Sequence, residues 1–191
     1  MNDSNVRQLL VHTNRGDDLA AAGLYKVFAP RMLAFARAFL REQASAEDSV
    51  QQVFVRILTL KPAELERVED VGAWLIWMTR TTCLNTVRTR ARSTLREKMR
   101  MGHTKRVAMD TCEANDPHSA LLEAINSLPD DHRELLLLKH VGGLTFDQVA
   151  LSLGQNRNTL ASRYRAAMDH VRERLENVEA ERVIVERRGV A

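Results

Sequence analysis

The chain has 191 residues, 45% hydrophobic and 28% charged, with only eight Gly and four Pro. This profile excludes a disordered tail and an all-β fold and leaves an all-α protein long enough for two small helical modules, each with a modest core. The net charge is +3, and the two cysteines lack CxxC or Cys/His spacing, which argues against a disulfide scaffold and against a structural metal.

The N-terminal stretch MNDSNVRQLLVHTNRGDD lacks the basic start and apolar run of a signal sequence. Uncharged stretches elsewhere are too short to span a bilayer, so a cytoplasmic chain with no membrane insertion is expected. Residues 17 to 41 carry Leu24, Tyr25, Phe28, Leu33, Phe35, Phe39 and Leu40 at mostly helical spacing, which predicts a helical pair or one helix kinked at Pro30. Residues 45 to 60 predict a helix capped by Ser45, with Val50, Val53, Phe54, Ile57 and Leu58 on one side and Glu47, Asp48, Gln51, Gln52 and Arg56 on the other. Lys61 and Pro62 end it, and a polar connection leads to a long helix from Val71 to about Met101, apolar first (Trp74, Leu75, Met78) and basic last.

Charge is segregated around this helix. Between Arg80 and Arg106 lie nine basic residues against one acid, and between Asp110 and Glu134 seven acids against one base. Solvated helix faces mix signs, so a basic block of this kind points to a phosphate-bearing partner. Residues 102 to 118 lose periodicity and read as a linker, in which Cys112 reads as an incidental cysteine rather than a thiol switch. Helices follow at 119 to 128 and 130 to 141, the latter stopped by Gly142 and Gly143.

The stretch GLTFDQVALSLGQNRNTLASRYRAAMDHVRE then reads as a helical hairpin. Thr145 and Gln148 stand in capping-box relation, and Phe146, Val149, Ala150 and Leu153 line one face. Gly154 supplies the turn, and the second helix starts near Asn156 or Asn158. Its buried face is expected to hold Leu160, Tyr164, Ala167 or Met168, Val171 and Leu175. Its outer face gathers Arg157, Asn158, Thr159, Ser162, Arg163 and Arg165, donors suited to phosphates and base edges at the end a recognition helix presents to the major groove.

The stretch SLPDDHRELLLLKHVGGLTFDQVALSLGQNRNTLASRY closely resembles region 4 of sigma-70-type factors of the extracytoplasmic-function (ECF) group. AEDSVQQVFVRIL, AWLIWMTRTTCLNTVRTRAR and LYKVFAPRMLAFA resemble region 2 of that group, in the right order. The resemblance implies a region 2-like domain over 1–101, a linker over 102–118 and a region 4-like domain over 119–191. It implies a non-enzymatic promoter-specificity subunit, with bacterial core RNA polymerase, promoter DNA and an anti-sigma factor as partners and with no cofactor.

Glu47, Asp48 and Gln51 are the expected polymerase-docking residues. Trp77, Arg80, Thr81, Arg88, Arg90 and Arg92 are expected at the -10 element, where aromatic and basic groups together hold an unstacked strand. The connection from Glu64 to Val71 corresponds to the loop that selects the flipped -10 base in the family. Two departures stand out: Arg80-Thr81 replaces Arg-Asn, and the recognition helix has Ala161 where the family has a basic residue. The competing expectation is a free-standing dimeric helix-turn-helix regulator. No sustained heptad pattern or ligand pocket in the N-terminal half favours it, and the six scattered histidines form no metal or triad spacing that would favour an enzyme.

Overall fold

A computed structural model describes the backbone of residues 3–101 and 117–189, and the side chains of residues 4–93 and 120–178. All of the expected linker, with Cys112 and the basic residues from Arg96 to Arg106, lies outside the described side chains. Every regular element among the described residues is a helix, so the all-α expectation is borne out, and the helices gather in two compact units.

The first unit opens with α1 (Asp3–Asn14), a helix absent from the expectations above. Its inward stripe is Val6, Leu9, Leu10 and Thr13: Val6, Leu10 and Thr13 are buried, and half-buried Leu9 lies over Gly23 of the next helix. Asp17 then caps α2 (Asp18–Leu40), its Oδ1 accepting from the backbone N–H of Leu19 at 3.0 Å and of Ala20 at 3.1 Å. Pro30 sits inside α2 without splitting it. Proline forfeits one backbone hydrogen bond, yet the buried flanking face of Leu24, Ala29, Met32, Phe35 and Ala36 holds the helix together, and Pro30 itself faces outward. By length and composition α2 could cross a membrane, although Lys26, Arg31 and Arg37 interrupt its apolar run, so the expectation about uncharged stretches is not overturned. Its buried face packs on α1, α3 and α5, which makes it a core helix.

Helix α3 spans Gln43–Thr59 and starts two residues before the expected cap. Glu42, extended at φ −149, is the N-cap position; Ser45 is instead buried inside the helix and donates its hydroxyl to Glu42 Oε2 at 3.0 Å. A side-chain network claims the hydroxyl that would have capped the backbone. A single turn, α4 (Pro62–Leu65), occupies the polar connection, and α5 runs over Val71–Met101 as the pattern predicts. Leu10, Leu24, Met32, Phe35, Val50, Val53, Ile57, Leu75 and Ile76 form the buried interior of this unit.

The second unit comprises α6 (Pro117–Asn126), α7 (Asp130–Leu136), α8 (Phe146–Leu153) and α9 (Arg157–Gly189). A π-helical turn, Leu137–Val141, prolongs α7. Ala124, Leu128, Leu136, Ala167 and Val171 form one core cluster, with Ile125, Tyr164, Met168 and Leu175 packed against it. The expected buried face of α9 is therefore the observed one.

Candidate nucleic-acid interface

In the first unit α3 and α5 form the walls of a groove of about 700 Å³. Asp48, Gln51, Gln52, Val55, Arg56 and Thr59 line it from α3; Trp77, Met78, Thr81, Thr82 and Asn85 line it from α5. Trp77, Thr81 and Asn85 stand four residues apart, so successive turns of α5 aim them into one face. Trp77 keeps 43% of its surface exposed, an aromatic plane available for stacking beside amides and hydroxyls. Trp74 is half-buried.

The groove brings together two groups of residues that the sequence reading keeps apart. Asp48 and Gln51, assigned to docking, face Trp77 and Thr81, assigned to the -10 strand. Gln52 and Arg56 were legible as part of a polar face but not as groove wall; Val55, Thr59, Thr82 and Asn85 were missed. The missed signal is the spacing itself, Asp48–Gln52–Val55–Thr59 against Trp77–Thr81–Asn85.

Other expected residues lie elsewhere. Glu47 is half-buried and bound within the unit, to Arg37 at 3.3 Å and to Gln43 Nε2 at 2.9 Å. Arg90 reaches from α5 to Glu42 and Ser45. Arg90 and then Ser45 hold the Glu42 carboxyl below its ordinary range. Arg88 and Arg92 are exposed, and Arg80 is half-buried. Thr81 donates its hydroxyl to the Trp77 carbonyl at 2.9 Å. Cys83, opposite the groove face, is fully buried, and that burial pushes its thiol up to about 11.

In the second unit the hairpin has the expected local chemistry. Thr145 Oγ1 accepts from the Gln148 N–H at 3.2 Å and Gln148 Oε1 accepts from the Thr145 N–H at 2.8 Å, which completes the capping box. Gly154 turns the chain at φ +63, a left-handed conformation that an L side chain strains to adopt. Asn156 resolves the choice of cap, its Oδ1 accepting from the Asn158 N–H at 2.8 Å. Arg157, Asn158, Thr159, Ser162 and Arg165 are exposed at the start of α9.

Two of the arginines are paired with carboxylates. Arg157 pairs with Asp147 of α8 at 3.2 Å, both well exposed. Arg163 departs from the expected outer face: it is half-buried and donates to Gln155 Oε1 at 3.0 Å while pairing with Asp131 of α7 at 3.3 Å. Helical geometry explains the departure, since Arg163 lies three residues after the fully buried Leu160 and beside the half-buried Tyr164, at the margin of the packed face. Tyr164 is itself set between the His140 ring, stacked at 5.7 Å, and the Phe146 ring, edge-on at 5.3 Å. No group of three or more His, Cys, Asp or Glu that could hold a metal ion occurs among the described residues.

Comparison with known proteins matches two family models to this chain: sigma-70 region 2 over residues 24–93 and sigma-70 region 4 over residues 118–171. The chain is 25% identical over 172 residues to the ECF RNA polymerase sigma factor SigK of Mycobacterium ulcerans, covering 88% of this chain and 92% of the relative. It is 23% identical over 167 residues to the ECF RNA polymerase sigma factor BldN of Streptomyces coelicolor, covering 85% of this chain and 63% of that relative. Among solved structures it is similar to the sigma factor RpoE in complex with the anti-sigma factor NepR from Bartonella quintana, with TM-score 0.65, 24% identity and coverage of 80% and 94%. It is also similar to CnrH in complex with the cytosolic domain of CnrY, with TM-score 0.61, 19% identity and coverage of 90% and 97%.

Proposed function

The chain belongs to the ECF group of the sigma-70 family, and from that premise we propose how its two units divide the work of promoter recognition. It is an RNA polymerase sigma factor, whose partners are bacterial core RNA polymerase, promoter DNA and an anti-sigma factor. It acts in the cytoplasm by binding, with no chemical step and no cofactor of its own.

The first unit, α1–α5, holds the -10 strand. An unstacked base enters the α3/α5 groove against Trp77, with Thr81 and Asn85 offering polar contacts and Arg80, Arg88 and Arg92 following the phosphates. The loop between α4 and α5 borders this strand. Asp48 and Gln51, in the middle of α3, dock the polymerase, and Glu47 braces that surface through Arg37. The second unit, α6–α9, reads the -35 element through Asn158, Thr159, Ser162 and Arg165, with Arg157 swinging from Asp147 to a phosphate.

The observation that carries this reading is the pairing, on one chain, of an aromatic polar groove with a capped helix-turn-helix exposing donors at the start of its second helix. A dimeric regulator needs the hairpin but has no use for the groove. The test is promoter binding with and without core polymerase. A sigma factor binds specifically as holoenzyme, with base unstacking near the start site; specific binding by the chain alone to a palindrome would support the regulator instead.

A further inference from the structure

We propose that α1, which lies before the segment matched by the region 2 model, is a strut that sets the geometry of the α3/α5 groove through Arg7 and Asn14. The proposal rests on the reading of that groove as the -10 site. Arg7 donates one guanidinium nitrogen, Nη2, to two backbone carbonyls of the loop before α5: Glu66 at 2.9 Å and Val68 at 2.7 Å. Asn14, two turns along α1, donates Nδ2 to two carbonyls at the end of α3: Ile57 at 2.7 Å and Leu60 at 3.0 Å.

Each pair of bonds acts on one wall of the groove. The carbonyls of the last turn of a helix lack i+4 partners within it; the Ile57 carbonyl accepts the Leu60 N–H at 3.4 Å as well as Asn14, so Asn14 reinforces the C-cap and fixes where α3 ends. Thr59, within the held segment, lines the groove. On the other side, Val68 is buried and lies two residues before Asp70, which caps α5 by accepting from the Ala73 N–H at 2.9 Å. A loop pinned at 66 and 68 therefore fixes the origin of α5, and with it the register of Trp77 and Thr81.

The anchorage of α1 itself is firm. Leu10 is fully buried, with none of its surface exposed, and Thr13, one turn on, is 1% exposed. Arg7 and Asn14 project from opposite ends of this anchored segment, and seven residues at 1.5 Å rise place them about 10 Å apart along the axis. A rigid helix gripping both walls holds their separation constant. Neither residue needs to touch DNA; both are positioning residues.

The test uses full-length chain assembled with core polymerase. The probes are a single-stranded oligonucleotide carrying the -10 segment of a promoter mapped by run-off transcription, and the same oligonucleotide with that segment scrambled. Arg7→Met keeps the aliphatic stem and removes the donors, and Asn14→Ala removes the amide. Each should lower the ratio of affinities for the two probes by roughly three- to tenfold, the scale of coupled neighbours in one polar network.

Arg7→Lys retains charged donors and should restore most of that ratio. Dependence on the -35 element, read by the other unit, should stay at the wild-type level. Wild-type -10 discrimination in Arg7→Met and Asn14→Ala overturns the strut, as does an equal loss at -10 and -35, which marks general destabilisation. Wild-type holoenzyme that cannot distinguish the two probes overturns the -10 reading of the groove and the strut with it.

Discussion

Replacing Arg163 with Ala separates a brace from a DNA contact. At 3.3 Å two unit charges attract by ~1.3 kcal/mol in bulk water and ~5 kcal/mol at an effective dielectric of about 20. The side chains of Arg163 and Asp131 are 32% and 52% exposed, so screening and side-chain ordering reduce the net worth of the pair to about 0.5–1 kcal/mol. The hydrogen bond to Gln155 adds about 1 kcal/mol. Arg163→Ala is therefore expected to cost about 1.5–2 kcal/mol, a shift of several degrees in the melting of a unit this small.

A double-mutant cycle with Asp131→Ala, followed by thermal unfolding, should show a coupling of about 0.5–1 kcal/mol. Holoenzyme binding to a -35-dependent promoter should weaken without a change in its salt slope, because no phosphate contact has been removed. A phosphate-bound Arg163 would behave oppositely, lowering the logarithmic slope by about 0.9. Additive stabilities together with a reduced slope would refute the brace.

Ser162→Ala and Arg165→Ala should each weaken -35-dependent transcription by roughly five- to a hundredfold, the cost of one base contact, while core binding in a pull-down stays intact; unchanged transcription removes them from the reading surface. Asp48→Lys should weaken polymerase binding measured by co-elution, and full affinity would move the docking face elsewhere. The raised Cys83 pKa contributes stability that is complete below its ordinary value of 9.0 and lost as pH rises through about 11. In a Cys112→Ser background, native chain near pH 8 should therefore resist alkylation until denaturant is added, and rapid labelling without denaturant contradicts the burial.

The parts of this fold that could be read from sequence are those in which one local rule acts alone. Thr145, Gln148 and Gly154 declare the first hairpin helix through capping and turn chemistry, and the structure repeats it bond for bond. The apolar start and basic end of α5 likewise declare one long helix. Where rules compete, tertiary packing decides. Pro30 signals a break, yet α2 passes through it because both flanks bury against three other helices. Ser45 signals a cap, yet its hydroxyl goes to Glu42.

Helix α1 went unread although Val6, Leu9, Leu10 and Thr13 stand at helical spacing, whereas its hold on the groove was illegible because it runs through Arg7 and Asn14, whose partners lie more than forty residues away. The same limit applied to the candidate site. Helical spacing placed Asp48 and Gln51 on one face and Trp77 and Thr81 on another, but periodicity within a helix carries no information on which faces oppose. Arg163 shows the converse: its type suits DNA, while Asp131 and Gln155, distant in sequence, claim its donors.

The most direct test of the central claim is run-off transcription by purified core polymerase, with and without this chain, on fragments from upstream of its own coding region. Transcripts that need the chain and share one start, and that are lost when either the -10 or the -35 segment is scrambled, are the predicted result. No chain-dependent transcript and no stable complex, with core from the matching organism, would contradict it.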